Sequence, residues 1–356
     1  MAELPELGLV IGKFIPLHVG HVRLLLGAAA RCQQLLVIVG DRRGDTIPAA
    51  TRAAWIAEML GDHAIETIVV LDDLPEAPGP WAERTLECVA PRVPDVVFTA
   101  EEYGDSYCSL MGQIAKRTIV HVRLPKEVET SGTALRGGLN EGGSWQLLSP
   151  AARAGLARRV VVLGCESSGT TTLAKALAAR FSTVWVPEYG RFYWEGREHA
   201  AMADGGEAWE EEEFVTIATE QQRIEDRLAK LAQKLVVCDT DGVATMAWHK
   251  RYRGSWSELV ERIADSREYC LYLLTAPDFG FVDDGTREDG QHRLEMHEDL
   301  KRLLTRKGRR FVEVGGSREE RVAAAAAAIE PLLVFPDIVT CHGTGDIDAD
   351  GLDSSV

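Results

Sequence analysis

Between Arg158 and Lys175 the chain reads R-R-V-V-V-L-G-C-E-S-S-G-T-T-T-L-A-K, and few stretches restrict a fold as tightly. The apolar run at 160–163 fits a buried strand. Gly164 and Gly169 follow it, ahead of a helix pattern with Leu173 and Leu177 one turn apart. That order is the outline of a phosphate-binding loop. Glycines let the backbone curl until successive N–H groups point at one anion, and the next helix adds its positive N-terminal end. Gly164, Glu166, Ser167, Ser168, Gly169, Thr170, Thr171 and Thr172 are the candidates for holding a nucleotide there. Thr171 stands where the Walker A pattern has its magnesium-binding hydroxyl. The place before it, usually lysine, holds Thr170, so the loop lacks the ammonium that would reach the β- and γ-phosphates. Lys175 lies on the helix beyond and is not assigned that role. Taken alone, such a loop is also compatible with a plain strand-to-helix turn.

A second α/β pattern precedes the loop. Short β-branched runs at 7–11, 35–39, 68–71, 96–98 and 119–122 alternate with helix-length stretches, the signature of a parallel sheet. At 356 residues the chain has room for two domains, each with its own core. Its net charge of −16 repels a polyphosphate backbone, which argues against nucleic acid as a partner, although a local pocket can still hold a nucleotide. Seven scattered cysteines without a C-x-x-C pair suggest reduced thiols rather than disulfides or zinc. No run approaches a membrane span, so a cytoplasmic protein is expected.

The first of these strands leads into G-K-F-I-P-L-H-V-G-H, residues 12–21, and then into a helix pattern. His18 and His21 would sit at a helix start, where imidazoles and backbone N–H groups can face a phosphate. A surface loop with incidental histidines is the plain alternative; zinc would need more ligands nearby. About a hundred residues on comes S-G-T-A-L-R, 131–136. F-x-P-x-H-x-G-H followed by S-G-T-x-x-R resembles the nucleotidylyltransferase superfamily. With F-T-A-E-E-Y-G at 98–104 and a phosphate-loop half after it, the chain resembles the bifunctional nicotinamide-nucleotide adenylyltransferase and ribosylnicotinamide kinase group, the NadR-like proteins.

That resemblance implies a doubly wound, Rossmann-like α/β nucleotidylyltransferase domain followed by a P-loop kinase α/β domain. It places Gly12, Phe14 and Gly20 beside a nucleotide, with His18 and His21 donating to its phosphates and Lys13 near them as a point charge. Ser131, Gly132, Thr133 and Arg136 would hold the leaving pyrophosphate. In the reaction implied, a mononucleotide phosphate oxygen attacks the α-phosphorus of ATP. Both reactants arrive charged, so the barrier is mostly positioning and neutralisation, with Mg²⁺ screening the rest.

Three further stretches belong to the second half. E-Y-G-R-F, 188–192, follows a short strand at 184–186, and Glu188 could hold ribose hydroxyls or take a 5′-hydroxyl proton. A helix-cap acid is the alternative. L-V-V-C-D-T-D, 235–241, closes a buried strand on Asp239, in the Walker B place for Mg²⁺, and on Asp241, which could equally bind substrate. F-V-D-D-G-T-R-E-D-G, 281–290, follows a strand at 269–274 and resembles the family's lid. With Thr170 in the loop, Arg287 becomes the leading cation for the phosphates and Arg191 a second.

Other features have ordinary readings. His292 and His297 are five apart and share no helical face, so a solvated helix is expected. The acids at 210–213 complement a helix dipole. Trp55 is expected in the core; by the family resemblance Trp248 or Trp256 could stack on nicotinamide, and core packing is an equal alternative. The alanines at 323–328 predict a last helix.

The expected domains are 1–140, a Gly-rich linker at 141–157, 158–335, and an acidic, disordered tail at 336–356. The expected function is NAD salvage, with ATP, nicotinamide riboside and nicotinamide mononucleotide as small-molecule substrates and Mg²⁺ as cofactor; self-assembly into a homo-oligomer stays open. The family's better-known members carry a DNA-binding helix-turn-helix ahead of the first strand; none is visible here, so a repressor role is not expected. The rivals are an adenylyltransferase with a silent kinase, a nucleotide sensor of NAD status, and a different phosphorylated acceptor.

Overall fold

A computed structural model describes residues 3–75, 77–100, 104–125, 132–140, 143–204, 209–278 and 290–339. The chain divides into two compact units, residues 1–152 with 335–356, and residues 153–334.

The first unit is built on five parallel strands, β1 (Leu7–Gly12), β2 (Gln34–Asp41), β3 (Ile65–Leu71), β4 (Val96–Thr99) and β5 (Val120–Arg123). Their order is β3-β2-β1-β4-β5. The chain moves outward from β1 to β3, then returns to the other flank of β1 with β4. Such doubly wound sheets bind ligands beyond the carboxyl ends of the strands, at this reversal. Parallel pairing, for example Leu9 with Leu36 and Leu9 with Val97, requires crossover helices between strands. Val19–Ala29, Ala49–Leu60, Pro78–Val89 and Gly104–Ala115 supply them. Leu9, Leu36, Ile38, Val97 and Met111 form one buried cluster, and Trp55 is buried as expected.

The second unit repeats the principle with β6 (Arg158–Gly164), β7 (Val184–Val186), β8 (Leu235–Asp239), β9 (Leu271–Thr275) and β10 (Phe311–Val314), all parallel, in the order β10-β9-β6-β8-β7. Every residue of β8 and β9 is buried, which explains why they read as continuous apolar runs rather than alternating ones. The helix Glu211–Ala229 starts at the acidic run, where Glu210 and Glu213 form a capping box; the charges serve the helix end. No described helix is long and apolar enough to cross a membrane.

Two stretches differ from expectation. The helix Ser144–Leu147 buries Trp145, Leu148 bridges to His18, and the Ser149 N–H donates to the Leu17 carbonyl at 3.0 Å. Residues up to 152, expected to be linker, are therefore part of the first unit. Residues 336–339, expected to be disordered tail, are ordered: Phe335 and Ile338 are buried, and Val339 bonds to Thr46. Phe335 and Ile338, apolar residues in an otherwise polar run, are buried by contacts that composition alone does not reveal. Residues 340–356 lie outside the described residues.

Candidate functional site

In the second unit, the loops that leave the carboxyl ends of β6, β7 and β8 carry the candidate residues. β6 delivers the phosphate loop. A Cβ on Gly164 would stand 2.0 Å from Thr275 Oγ1 and 2.3 Å from Ser168 Oγ, so no larger residue fits where the loop leaves β6. Those two hydroxyls bond each other at 2.6 Å, and Ser168 Oγ also donates to the Cys165 carbonyl. Ser167 and Gly169 take positive φ, 54° and 86°, which curls the loop over the helix Thr170–Arg180.

Thr170 does not reach outward as a lysine would. Its methyl lies near Gly164 and its hydroxyl faces Asp239. Asp239 ends β8 with 1% of its surface exposed. Thr171, Thr170 and the Trp185 indole all act on its carboxylate, yet neither oxygen closes a hydrogen bond of normal geometry among the described residues. Burial outweighs these neighbours and raises the carboxyl above its usual range. Lys175 lies over the Trp185 ring, 4.4 Å from its centroid.

Asp241 has a different role from the one considered for it. It is fully buried, caps the helix Gly242–Arg253 through the N–H groups of Val243 and Ala244, and accepts the Tyr272 hydroxyl at 2.7 Å. Its oxygens serve the fold, not a substrate. Between the two acids, Thr240 holds a φ of 78°, a strained conformation for a β-branched residue.

Two adjoining cavities share Glu166, Glu188, Arg191, Thr240 and Trp248 as lining. The first, ≈ 390 Å³, contains the phosphate loop. The second, ≈ 410 Å³, is walled by Trp194, Trp209, Phe214, Trp248 and Tyr252. Tyr252 stacks on Trp209 (5.3 Å) and on Trp248 (5.8 Å). Glu188 is aimed here by Gln221, a buried amide that accepts the Tyr189 N–H at 2.7 Å and donates to the Pro187 carbonyl at 3.2 Å. Of the two tryptophans weighed for stacking, Trp248 faces these cavities. Trp256 instead packs under Lys250 and Arg306.

Sequence reasoning missed two arginines that grip the phosphate loop from behind. Arg293 donates to the carbonyls of Glu166 at 3.1 Å and Ser167 at 3.5 Å. Arg321 donates to the Ser168, Ala276 and Gly316 carbonyls and pairs with Asp278. Neither stands in a motif; both come from distant helices, so no local pattern marks them. His297 also corrects an expectation. It is buried and faces Glu313 at 3.2 Å rather than solvent. Arg287 and its stretch lie outside the described residues.

In the first unit, the motif around β1 folds into one corner. His18 caps the helix Val19–Ala29, its Nδ1 accepting the N–H groups of Gly20 (3.1 Å) and His21 (3.4 Å). Those two N–H groups, expected to face a phosphate, are engaged by the cap, and the cap assigns the His18 proton to Nε2. The His18 and His21 rings stack at 3.6 Å. Phe14 takes a φ of 56°, and its ring lies edge-on to His21 while shielding Gly12. Lys13 is buried 4.0 Å from Asp72, which also binds Arg42 at 3.0 Å.

The second motif meets the first: Arg136 donates to the Ile15 carbonyl at 3.4 Å and to Thr133 Oγ1 at 2.7 Å, on a helix that begins at Gly132. Ser131 and residues 101–103 lie outside the described residues. Arg52, on the helix Ala49–Leu60, is a further supporting residue. It is fully buried, pairs with Asp45 at 3.1 Å, and donates to the carbonyls of Lys13, Gly40 and Ile47. It fixes the loops after β1 and β2 to each other.

Fold and sites together define a two-unit α/β protein whose second unit carries a phosphate loop; the family model for an AAA domain matches residues 159–321. Within that class the chain is similar to NadR proteins. It is 27% identical over 331 residues to the trifunctional NAD biosynthesis/regulator protein NadR of Escherichia coli (strain K12), covering 86% of this chain and 78% of that one. Two solved structures share its fold at 21% identity. A NadR protein in complex with NR superposes with a TM-score of 0.66 over 95% of this chain and 99% of that one. A NadR protein in complex with NAD and AMP-PNP gives 0.64 over 96% and 100%.

Proposed function

We propose that this is an NAD-salvage enzyme in which the second unit phosphorylates nicotinamide riboside with ATP and the first adenylylates the resulting mononucleotide. The observation that carries the reading is the shared wall of the two cavities in the second unit. One cavity presents a phosphate loop and the other an aromatic box, with Glu188 and Arg191 lining both. A charged triphosphate and a flat, ribose-bearing ring fit these two chambers. Sequence similarity to a NadR protein, and fold likeness to NadR structures with NR and with AMP-PNP, support the same substrates.

In phosphoryl transfer the 5′-hydroxyl oxygen bonds to the γ-phosphorus of ATP as the bond to the ADP oxygen breaks. Glu188 takes the hydroxyl proton. The loop N–H groups and Arg191 neutralise the phosphate oxygens, and Trp248 stacks on the ring. Asp239 and Thr171 fit Mg²⁺, since a buried carboxylate without a closed hydrogen bond beside a hydroxyl is a hard-oxygen donor set. When bound, the ion would screen the phosphates.

In adenylyl transfer a phosphate oxygen of the mononucleotide bonds to the α-phosphorus and pyrophosphate leaves. No proton acceptor is required. His18, His21 and Lys13 stabilise the phosphate oxygens, and Arg136 with Thr133 holds the departing pyrophosphate.

Thr170 favours one second reading, a silent kinase beside a working adenylyltransferase. The deciding experiment incubates the protein with Mg-ATP and either riboside or mononucleotide, separating products by chromatography. Mononucleotide and then NAD from riboside supports the full proposal. NAD from mononucleotide alone leaves the silent-kinase reading, and neither product overturns both.

A further inference from the structure

Residues 335–339 follow the second unit in sequence but belong to the first. Three sets of contacts hold them there. Asn140 brackets Phe335 with both ends of its amide: Nδ2 donates to the Phe335 carbonyl at 2.8 Å, and Oδ1 accepts the Phe335 N–H at 2.9 Å. The Phe335 ring is buried with its centroid 5.3 Å from that of Trp145. Ile338, also buried, donates its N–H to the Arg136 carbonyl at 3.1 Å. Val339 then pairs with Thr46: the Thr46 N–H donates to the Val339 carbonyl at 3.0 Å, and the Val339 N–H donates to Thr46 Oγ1 at 2.8 Å.

Both loops joined in this way belong to the adenylyl-transfer corner. Thr46 stands between Asp45, the partner of Arg52, and Ile47, whose carbonyl Arg52 also binds. Arg136 stands on the helix Gly132–Gly138, which has 7 residues and three glycines. A helix so short and so glycine-rich does not hold its shape unaided. The segment bonds to the backbone of Arg136 itself and to the side chain of Asn140, just past the helix end, so it limits where the Arg136 guanidinium can go.

We propose that residues 335–339 act as a strap that positions Arg136 for adenylyl transfer. Phe335, Ile338 and Asn140 are its positioning residues. The inference rests on the adenylyl-transfer reading of the first unit. It places part of that reaction's machinery beyond the second unit in sequence, so residues 1–152 by themselves lack a component of their own site.

The test uses the full chain. Asn140→Ala removes the bracket on Phe335, and Ile338→Pro removes the N–H that binds the Arg136 carbonyl. Phe335→Leu keeps an apolar anchor and serves as the conservative control. Adenylyl transfer and riboside phosphorylation are measured on the same preparations, with ATP varied, alongside thermal unfolding. The expected result is a fall of about tenfold or more in kcat/KM for ATP in adenylyl transfer for Asn140→Ala and Ile338→Pro. Phosphorylation should stay within about twofold of wild type in all three variants, and adenylyl transfer should fall less in Phe335→Leu than in the other two. Unchanged adenylyl transfer in both variants overturns the strap. So does a loss that tracks the unfolded fraction, which would mark the segment as merely structural. A wild-type chain without adenylyl transfer overturns the reading of the first unit and the strap with it, a result seen before any variant is made.

Discussion

Arg293 donates to the Glu166 carbonyl at 3.1 Å across 127 positions of sequence, tying the helix Gly290–Arg306 to the phosphate loop. Arg321 does the same at Ser168, 2.8 Å away. A loop whose carbonyls are held from behind presents its N–H groups forward, already arranged for an anion.

Arg293→Met should therefore weaken ATP binding more than it slows chemistry. The expected change is a rise of about tenfold in KM for ATP during riboside phosphorylation, corresponding to ~1.4 kcal/mol. Arg321→Met takes the donor from three carbonyls and the ion-pair partner from Asp278, which keeps the Gly316 N–H. It should also cost about 3 kcal/mol of stability in denaturant unfolding. An Arg321→Met protein as stable as wild type would refute this account of the loop.

Asp239 sets activity against stability. Its carboxylate is buried and its pKa raised by burial, so without metal the charge costs the fold. Asp239→Asn removes that cost while discarding the oxygen that would hold Mg²⁺. The variant should unfold at a temperature equal to or above wild type in metal-free buffer, and phosphorylation should fall by about 10²-fold or more. Added Mg-ATP should stabilise wild type and not the variant. A variant clearly less stable than wild type without metal would show that Asp239 is a structural acid.

Much of this arrangement was legible beforehand. Nine of the ten strands carry apolar or β-branched runs that sequence alone marks: β8 and β9 are buried throughout, and even the half-exposed edge strands β3 and β5 are rich in β-branched residues. β10 escaped, since F-V-E-V is only 4 residues long and is interrupted by Glu313, and it becomes a strand by pairing with β9. The motif residues were legible for a similar reason: a loop that curls around phosphate needs Gly164 and Gly169 at fixed spacing. The supporting residues were not. Arg293, Arg321, Gln221 and Arg52 act by reaching backbone carbonyls and amides brought near by the fold, and such contacts leave no periodic trace. The aromatic box was half visible, with Trp248 noticed and its partners Trp209 and Tyr252 passed over, because stacking depends on which helix faces meet.

Asp241 should give the protein a pH-dependent stability of known sign. Burial, opposed by the Tyr272 hydroxyl and two backbone N–H groups, pushes its carboxyl up to about 6 from an ordinary 3.8. The folded state thus holds this proton more tightly than the unfolded chain. The stabilising contribution is complete below about pH 4 and is lost as pH rises through about 6. Asp241→Asn stays neutral and can still cap the helix. Its unfolding temperature, relative to wild type, should climb between pH 4 and pH 7 in thermal melts. Parallel curves across that range would place the proton elsewhere.

The last prediction concerns the lysine that the loop lacks. Thr170 turns its methyl toward Gly164 and its hydroxyl toward Asp239, so it cannot neutralise a γ-phosphate. Arg191 lines the phosphate-loop cavity and is held by Glu195 at 3.0 Å in a largely exposed pair. Exposed pairs of this kind are worth little, so the guanidinium can leave Glu195 for a phosphate at small cost. Arg191→Ala should lower kcat for riboside phosphorylation by about 10²-fold, the usual scale for removing one charge from a developing phosphoryl transition state. Thr170→Lys should have little effect on the wild-type rate and should recover part of the loss in the Arg191→Ala background. If Arg191→Ala is neutral while Thr170→Lys alone accelerates the reaction, the loop is short of a cation in wild type and Arg191 is not its substitute.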